Sequence, residues 1–429
     1  MELKVKRNSL LEKTALICIL FHGLFARFTE LESFSYKIII IFFLVCIVKN
    51  YNKLLDYLKC RKKVLVILIL CICAVIVNVA NHGFQTYTYS NLIILFYNTA
   101  AMILLDFLIF CMEYNIKQIL LSYAGIINII WIVNLIVLCI QLNGTGFLIK
   151  DSWLKINSYY LDQCCGLFGN SGTHELAFFS IFVFVYNMCY ASNCNKRKQS
   201  FFICYTIFTC LMMYILSTLN DNKAFLFLFP IVVVLYIFLK VSWGEKNYLS
   251  RVKKILLVAT VTFIISLILI QIPMINDKVN SVLISISKII NVDYTSAIGG
   301  SERLAIFIYA LMHGNGWSTG VGLGAYSWTQ GKVAYFSYFG LSSIGACTLL
   351  GGIWFYILMS LLHKEVACCF RSSIKISRIG NIGIWVLIIV ASIYSNIFTS
   401  LTSTIWILLS FVIVFVSMPN YKDLKKRGV

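Results

Sequence analysis

Charged residues and prolines are scarce in this sequence. Only 12% of its 429 residues are charged, whereas 60% are hydrophobic, and the mean hydropathy is +0.86. Soluble domains contain about 25% charged residues, so this composition excludes an ordinary soluble domain. The whole chain has three prolines, so its long helices are seldom interrupted. Its apolar runs of about 15–23 residues indicate transmembrane helices, because a β-barrel would show short alternating segments instead.

Recognisable cofactor motifs are also lacking. The polar connections contain no phosphate-binding GxxxxGK[ST] motif. Thiol and imidazole side chains do not occur at the spacing that zinc sites require. Most of the 16 cysteines lie inside apolar runs, where cysteine behaves as a small hydrophobic residue. The sequence therefore predicts neither a disulfide framework nor a metal or nucleotide cofactor.

Twelve apolar runs predict an all-α, polytopic membrane protein in which residues 1–429 form one domain. The runs cover about residues 14–28, 36–49, 64–80, 92–111, 119–141, 175–191, 200–219, 224–241, 255–272, 341–362, 381–396 and 399–418. Of the 36 Lys and Arg residues, 27 lie in the connections on the side of the two termini and 9 on the other side. The positive-inside rule therefore places both termini in the cytoplasm. Topology, rather than nucleic-acid binding, explains the net charge of +19.

Two of the outer connections are long, the first over residues 142–174 and the second over residues 273–340. Binding and catalytic residues concentrate in loops of this kind. In the second loop, apolar residues from Val279 to Ile290 recur at helical spacing. This predicts a short amphipathic helix that lies in the plane of the lipid headgroups.

Arg303 is the one arginine in the two long outer loops. A helix is predicted to begin with Ser301 as its N-cap and to end at Gly314, which places Arg303 in its first turn. There the guanidinium and the free N–H groups of the helix start can bind one anion together. The alternative is that Arg303 only extends to lipid headgroups. The glycine-rich stretch that follows can approach a ligand closely and move as a lid. Its candidate substrate-binding residues are Gly314, Gly320, Gly322, Gly324 and Tyr326.

Two further pairs of polar residues lie where outer connections meet spans. His174 and Glu175 stand at the end of the first long loop and are candidates for a catalytic base; the alternative is that they cap a helix. Asp221 and Lys223 occupy a very short outer turn. A cation held on so short a turn suits anion binding, so both are candidate substrate-binding residues, and Asp221 is a further candidate for the base; a polar hairpin tip is the alternative.

Three of these segments resemble the bacterial O-antigen polymerase and O-antigen ligase superfamily, which includes capsular and exopolysaccharide repeat-unit polymerases. Arg303 is followed after ten residues by Gly314, which is similar to the Arg-x10-Gly motif of the polymerases, and "GVGLGAY" (320–326) is similar to the segment after it. "LSTLNDNKAFLFL" is similar to the Ser-x-Ser-Arg-like segment that opens a span, with Lys223 in place of the arginine. "GLFGNSGTHELAFF" is similar to the Gly-Leu-Phe-x-Asn segment that enters a span. The histidine that ligases carry after the glycines is absent, which favours a polymerase.

The resemblance implies a transfer reaction at the outer face of the bacterial cytoplasmic membrane. A growing glycan on undecaprenyl diphosphate would pass to a lipid-linked repeat unit, without a cofactor. Arg303 and Lys223 would stabilise the charge that develops on the diphosphate. The implied partners are the lipid-linked oligosaccharide, the bilayer, a flippase and a chain-length regulator, with no nucleic acid.

A lipid-linked oligosaccharide flippase and an O-antigen ligase are the alternative functions. Flippases tend to have short loops on both faces and cationic groups inside the bundle. Here the second outer loop has 68 residues, and the clearest charge within a span is an acid, Asp106. Asp106 is either paired within the bundle or part of a proton pathway. The long loop and sparsely charged spans favour the transferase over the transporter.

Overall fold

The computed structural model describes residues 10–21, 24, 32–111, 116–145, 147–149, 164–169, 172–220, 222–244, 300–328, 342–369 and 378–400, with scattered residues between 253 and 287 and residues 407 and 410. Every regular element in these ranges is helical. The α-helices are α1 (Leu10–Phe21), α2 (Glu32–Lys49), α3 (Tyr51–Cys60), α4 (Lys62–His82), α5 (Thr88–Cys111), α6 (Ile116–Ser122), α7 (Ala124–Ile140), α8 (Thr173–Ala191), α9 (Lys196–Leu219), α10 (Lys223–Gly244), α11 (Gly300–Met312), α12 (Ser343–Cys369) and α13 (Arg378–Tyr394).

Six helical segments in the described part of the chain are long and apolar enough to cross a membrane. They are Lys62–His82, Thr88–Cys111, Ala124–Thr145, Thr173–Ala191, Lys196–Leu219 and Ser343–Cys368, and α2 with α3 makes a seventh if that bent pair counts as one span. Large apolar side chains such as Ile69 and Ile76 on α4 are exposed, as expected of a surface that faces lipid. The all-helical class and its apolar helices agree with the prediction. The predicted runs at 255–272 and 399–418, and the headgroup helix from Val279 to Ile290, lie largely outside the described residues.

Helix α8 lies at the centre of one half of the bundle. It packs against α7, α9 and α10, and nearly all of its side chains are buried. Its Phe179 ring lies 6.0 Å from the Trp131 ring and 5.3 Å from the Phe168 ring. A helix surrounded on all sides must be apolar all round, which explains why α8 shows no polar face between its two ends.

Helix α12 is broken at Gly352, whose φ of 83° is not helical. The break leaves backbone carbonyls without partners in the helix. A loop between α11 and α12 supplies them: Val321 N donates to Leu349 O at 2.8 Å. Gly322 N donates to Leu350 O at 3.2 Å. Backbone polar groups at membrane depth must be satisfied within the protein, so this loop completes the broken helix.

Asp106, Arg61 and Tyr57 form a buried group, the Asp106 cluster, where α3, α4 and α5 meet. The Tyr57 hydroxyl donates to Asp106 Oδ2 at 3.1 Å, and Arg61 Nε lies 3.3 Å from the same oxygen. Arg61 is the residue between α3 and α4. The cluster therefore fixes the angle between these two helices. Of the two roles considered for Asp106, the structure shows the paired one.

Candidate functional site

Arg303 and His174 are brought together although 129 residues separate them. Arg303 Nη2 lies 3.2 Å from His174 Nε2. A guanidinium can only donate, so Nε2 accepts, and the neutral imidazole then carries its proton on Nδ1. Arg303 is the fourth residue of α11 and His174 the second residue of α8. Both residues are half-buried.

Glu175 is buried beside this contact and is tied to a turn that follows α13. The Ser400 hydroxyl donates to Glu175 Oε1 at 3.1 Å, and Ser400 N donates to Asn396 O at 2.9 Å. The Ser343 hydroxyl in turn donates to Asn396 Oδ1 at 3.2 Å. Ser343 is the first residue of α12. We call Arg303, His174, Glu175 and Ser400 the Arg303 site.

Three helix starts converge on the Arg303 site. Helix α8 begins one residue before His174, α11 begins three residues before Arg303, and α12 begins at Ser343. Helices α11 and α12 approach closely, since a Cβ on Gly345 would lie 3.2 Å from Arg303 O. Helix N-termini carry unsatisfied N–H groups and a partial positive charge. Helix starts beside an arginine favour an anion, whereas the buried carboxylate of Glu175 in the same site opposes one.

The segment Gly166–Phe168 lies against the same end of α8. Gly166 N donates to Gln141 Oε1 at 2.8 Å, and Leu167 N donates to Asn134 Oδ1 at 2.9 Å. Gly166 has a φ of 61°, and a Cβ there would collide with Asn134 Oδ1. Only glycine fits this position. The Gly-Leu-Phe motif is therefore used for a tight turn that docks the first long loop onto α7.

Buried donors without a hydrogen-bond partner lie near this turn, and sequence reasoning missed them. They are Asn134 Nδ2, Ser217 Oγ and Asn222 Nδ2. The turn and the Ser217–Asn222 segment are linked, because Asn220 Nδ2 donates to Cys164 O at 2.9 Å. A buried unsatisfied donor costs about 1–3 kcal/mol, so such groups call for an acceptor. Asn134 lies inside an apolar run, and a polar residue in that setting was the available signal.

The structure places only part of the predicted anion-binding turn. Lys223 is the first residue of α10, but its side chain and the whole of Asp221 lie outside the described residues. Their neighbour Asn222 is buried, and its Oδ1 accepts from Phe225 N at 3.2 Å. Binding of substrate by Asp221 and Lys223 stays a prediction.

The glycine-rich loop has a different position from the one predicted. Helix α11 runs from Gly300 to Met312, so Ser301 is its second residue and not its N-cap. Gly314 N closes the other end by donating to Ala310 O at 3.1 Å. Arg303 and Gly314 are thus at opposite ends of one helix, about 16 Å apart at 1.5 Å per residue. The glycines do not lie over Arg303 as a lid.

Close packing is what these glycines provide. Gly320 has a φ of 69°, and a Cβ there would collide with Leu349 O. A Cβ on Gly322 would collide with Gln85, and a Cβ on Gly324 would collide with Thr88, the first residue of α5. The carbonyl of Tyr326 accepts from the Asn91 side chain at 2.8 Å. Direct contact of Gly314, Gly320, Gly322, Gly324 or Tyr326 with a substrate stays a prediction.

Compared with known proteins, the chain matches no family model and no curated sequence. The residues and their geometry must therefore carry any assignment of function.

Proposed function

We propose that this protein is a polysaccharide polymerase of the bacterial cytoplasmic membrane. It transfers a growing glycan from undecaprenyl diphosphate to a lipid-linked repeat unit in O-antigen, capsule or exopolysaccharide synthesis. The observation that carries the proposal is the Arg303–His174 contact, 3.2 Å long, at the meeting point of three helix starts. The motif resemblance around Arg303, Lys223 and Gly166 supports it independently.

The proposed topology has twelve spans, with both termini in the cytoplasm and the Arg303 site on the outer face. The distribution of 27 and 9 basic residues over alternate connections supports this orientation. Lipid-linked donors with a diphosphate leaving group are presented at that face. A flippase that delivers them and a chain-length regulator are the proposed protein partners.

The proposed reaction is a displacement at the anomeric carbon of the donor glycan. A hydroxyl of the acceptor sugar attacks this carbon, and the bond to the diphosphate oxygen breaks with its electron pair. Arg303, the helix starts and Lys223 stabilise the negative charge on the leaving diphosphate. A single preorganised donor of this kind contributes about 3–4 kcal/mol to transition-state stabilisation.

His174 is the proposed base that takes the proton of the acceptor hydroxyl. Its Nε2 accepts from Arg303. When the guanidinium turns its donors to the diphosphate, the lone pair on Nε2 becomes available to the hydroxyl. Arg303 thereby couples arrival of the donor to release of the base. Glu175, with Ser400 bonded to it, completes the polar wall of the site.

Complementation of a deletion strain tests the proposal. Arg303→Ala is expected to leave single repeat units at the cell surface and no long chains, because the leaving-group charge is no longer stabilised. Arg197→Ala, an exposed arginine at the start of α9, is the matched control and should give chains of normal length. The readout is the length distribution of the extracted polysaccharide on a gel.

Three outcomes contradict the proposal. Normal long chains from Arg303→Ala at wild-type protein levels would remove Arg303 from the site. Repeat units trapped on the inner leaflet of the deletion strain would show a transporter in place of a polymerase. Transfer of the glycan to lipid A without polymer growth would show a ligase.

A further inference from the structure

Helix α3 runs across the bundle rather than along it. Its axis is bent 98° from that of α2. Tyr57 and Arg61 hold it there through their contacts with Asp106. On the side away from the bundle, Tyr51 and Leu55 are exposed. A helix with an exposed apolar stripe and this orientation lies at the boundary between headgroups and acyl chains.

Positive charge is concentrated around α3. Five lysines in residues 49–63 are exposed, and Asp56 is the acid among the exposed residues of this segment. Lys53 Nζ also donates to Cys111 O at the end of α5, at 2.9 Å. The exposed lysines are Lys49, Lys53, Lys59, Lys62 and Lys63. Such a cluster beside a span attracts anionic lipid headgroups.

An apolar cavity of about 160 Å³ lies directly under α3. Its walls come from α2, α3, α4 and α5 and include Leu54, Leu58 and Phe107. An engineered cavity of about 150 Å³ with similar walls stays dry and binds benzene. The cavity beneath α3 is thus suited to a hydrocarbon chain.

A second apolar cavity, of about 480 Å³, lies beside the first between α4, α5 and α12. Leu68 and Ile103 line both cavities, so the two are neighbours. From Leu65 in the first to Ile76 in the second, α4 rises about 16 Å. This is about half of the 30 Å hydrocarbon core of a bilayer. The two cavities together therefore extend along α4 over the length of an acyl chain from one leaflet.

We propose that α3 holds one anionic phospholipid of the cytoplasmic leaflet. The phosphate group lies against the exposed lysines around α3, and one acyl chain occupies the two neighbouring cavities. The cytoplasmic side follows from the excess of basic residues in these connections. This binding site does not depend on the proposed transferase activity, since it lies at the other end of α4 from the glycine-rich loop.

Native mass spectrometry of the purified full-length protein tests the site. Detergent solutions with equal amounts of phosphatidylglycerol and phosphatidylcholine provide the two lipids. The wild type is expected to retain one phosphatidylglycerol, on the order of tenfold more often than phosphatidylcholine. The triple variant Lys59→Gln, Lys62→Gln, Lys63→Gln should lose this preference. Leu58→Trp, which fills the first cavity, should reduce retention of both lipids.

A matched control separates a site from general positive charge. Lys196→Gln, Arg197→Gln, Lys198→Gln removes three exposed basic residues from the start of α9 and should leave retention unchanged. The lysine triple variant changes exposed side chains, so it keeps the test valid if Leu58→Trp fails to fold. Equal retention of the two lipids by the wild type overturns the proposal. An equal loss of phosphatidylglycerol by the control variant also overturns it, as does wild-type retention by a folded Leu58→Trp. Retention of a polyprenyl lipid in place of a phospholipid would overturn it as well.

Discussion

Arg61 and Arg303 lie near opposite ends of the bundle and meet different partners. Arg61 is 8% exposed and lies 3.3 Å from the carboxylate of Asp106, which is fully buried. Arg303 is half-buried and donates to the imidazole of His174. The carboxylate of Asp106 compensates the charge of the buried Arg61. A half-buried arginine at the start of a helix, in contact with a neutral imidazole, is not fixed in the same way.

The comparison separates an arginine with a structural role from one for which we propose a functional role. In the Asp106 cluster, the contacts of Asp106 with Tyr57 and Arg61 join α3, α4 and α5, which follow one another in the sequence. In the Arg303 site, contacts join α8, α11, α12 and the turn after α13, which come from distant parts of the chain. Changes in the first group should therefore alter stability, and changes in the second should alter chemistry.

Asp106→Ala should have the largest effect and should act on stability. It leaves Arg61 buried without its carboxylate, which costs about 3–5 kcal/mol. The measurement is the free energy of unfolding of the purified protein in detergent micelles. Asp56→Ala, an exposed acid on α3, is the control and should stay near the wild type. Equal stability of the two variants would contradict a structural role for the pair Arg61–Asp106.

Gly320→Ala should have an intermediate effect and should act on stability and transfer together. The added Cβ meets Leu349 O, and the positive φ is unfavourable for alanine, so about 2–4 kcal/mol is lost. Because α11 and α12 both frame Arg303, transfer should fall as well. Gly125→Ala is the control: no atom lies within 4 Å of a Cβ there, and helix propensity should raise stability by up to about 1 kcal/mol. A stable and active Gly320→Ala would show that the loop is not needed at the break of α12.

Ser400→Ala should have the smallest effect and should act mainly on transfer. It removes one hydrogen bond to Glu175, and a loss of about 1 kcal/mol of transition-state stabilisation lowers the rate roughly fivefold. Initial rates with a synthetic lipid-linked repeat unit measure it, with no more than a small fall in melting temperature. Ser192→Ala, at the exposed far end of α8, should match the wild type. A lower melting temperature without a change in rate would assign Ser400 to the scaffold.

Helix positions were largely predictable from apolar runs, and the Arg303 site only in part. The run predicted at 175–191 corresponds to the helix Thr173–Ala191. The length of a buried or amphipathic helix can be read from the length of its apolar pattern in the sequence. The contact between Arg303 and His174 spans 129 residues, and no local period encodes a pairing at that distance. The sequence identifies Arg303 and His174 separately as candidates, but only the tertiary structure shows that they are in contact.

The break in α12 was not predicted, for a physical reason. Gly351 and Gly352 sit in an apolar run, and glycine is tolerated in membrane helices, so the pair does not distinguish a break from a continuous span. The break is identified by the loop between α11 and α12, because the amides of this loop bond the carbonyls that the broken helix leaves without partners. The interpretation of that loop as a lid rested on the conformational freedom of its glycines, which serves close packing equally well.

The break in α12 also constrains biogenesis. Its carbonyl at Leu350 accepts from Asn78, which is 272 residues earlier in the chain, as well as from Gly322. These partners precede α12 in the chain, so they are already synthesised when α12 is inserted. The break can form only against α4 and the loop between α11 and α12 once they are in place. Pairing over so long a stretch of chain is slow, so we expect the docking of α12 to be a late step in folding.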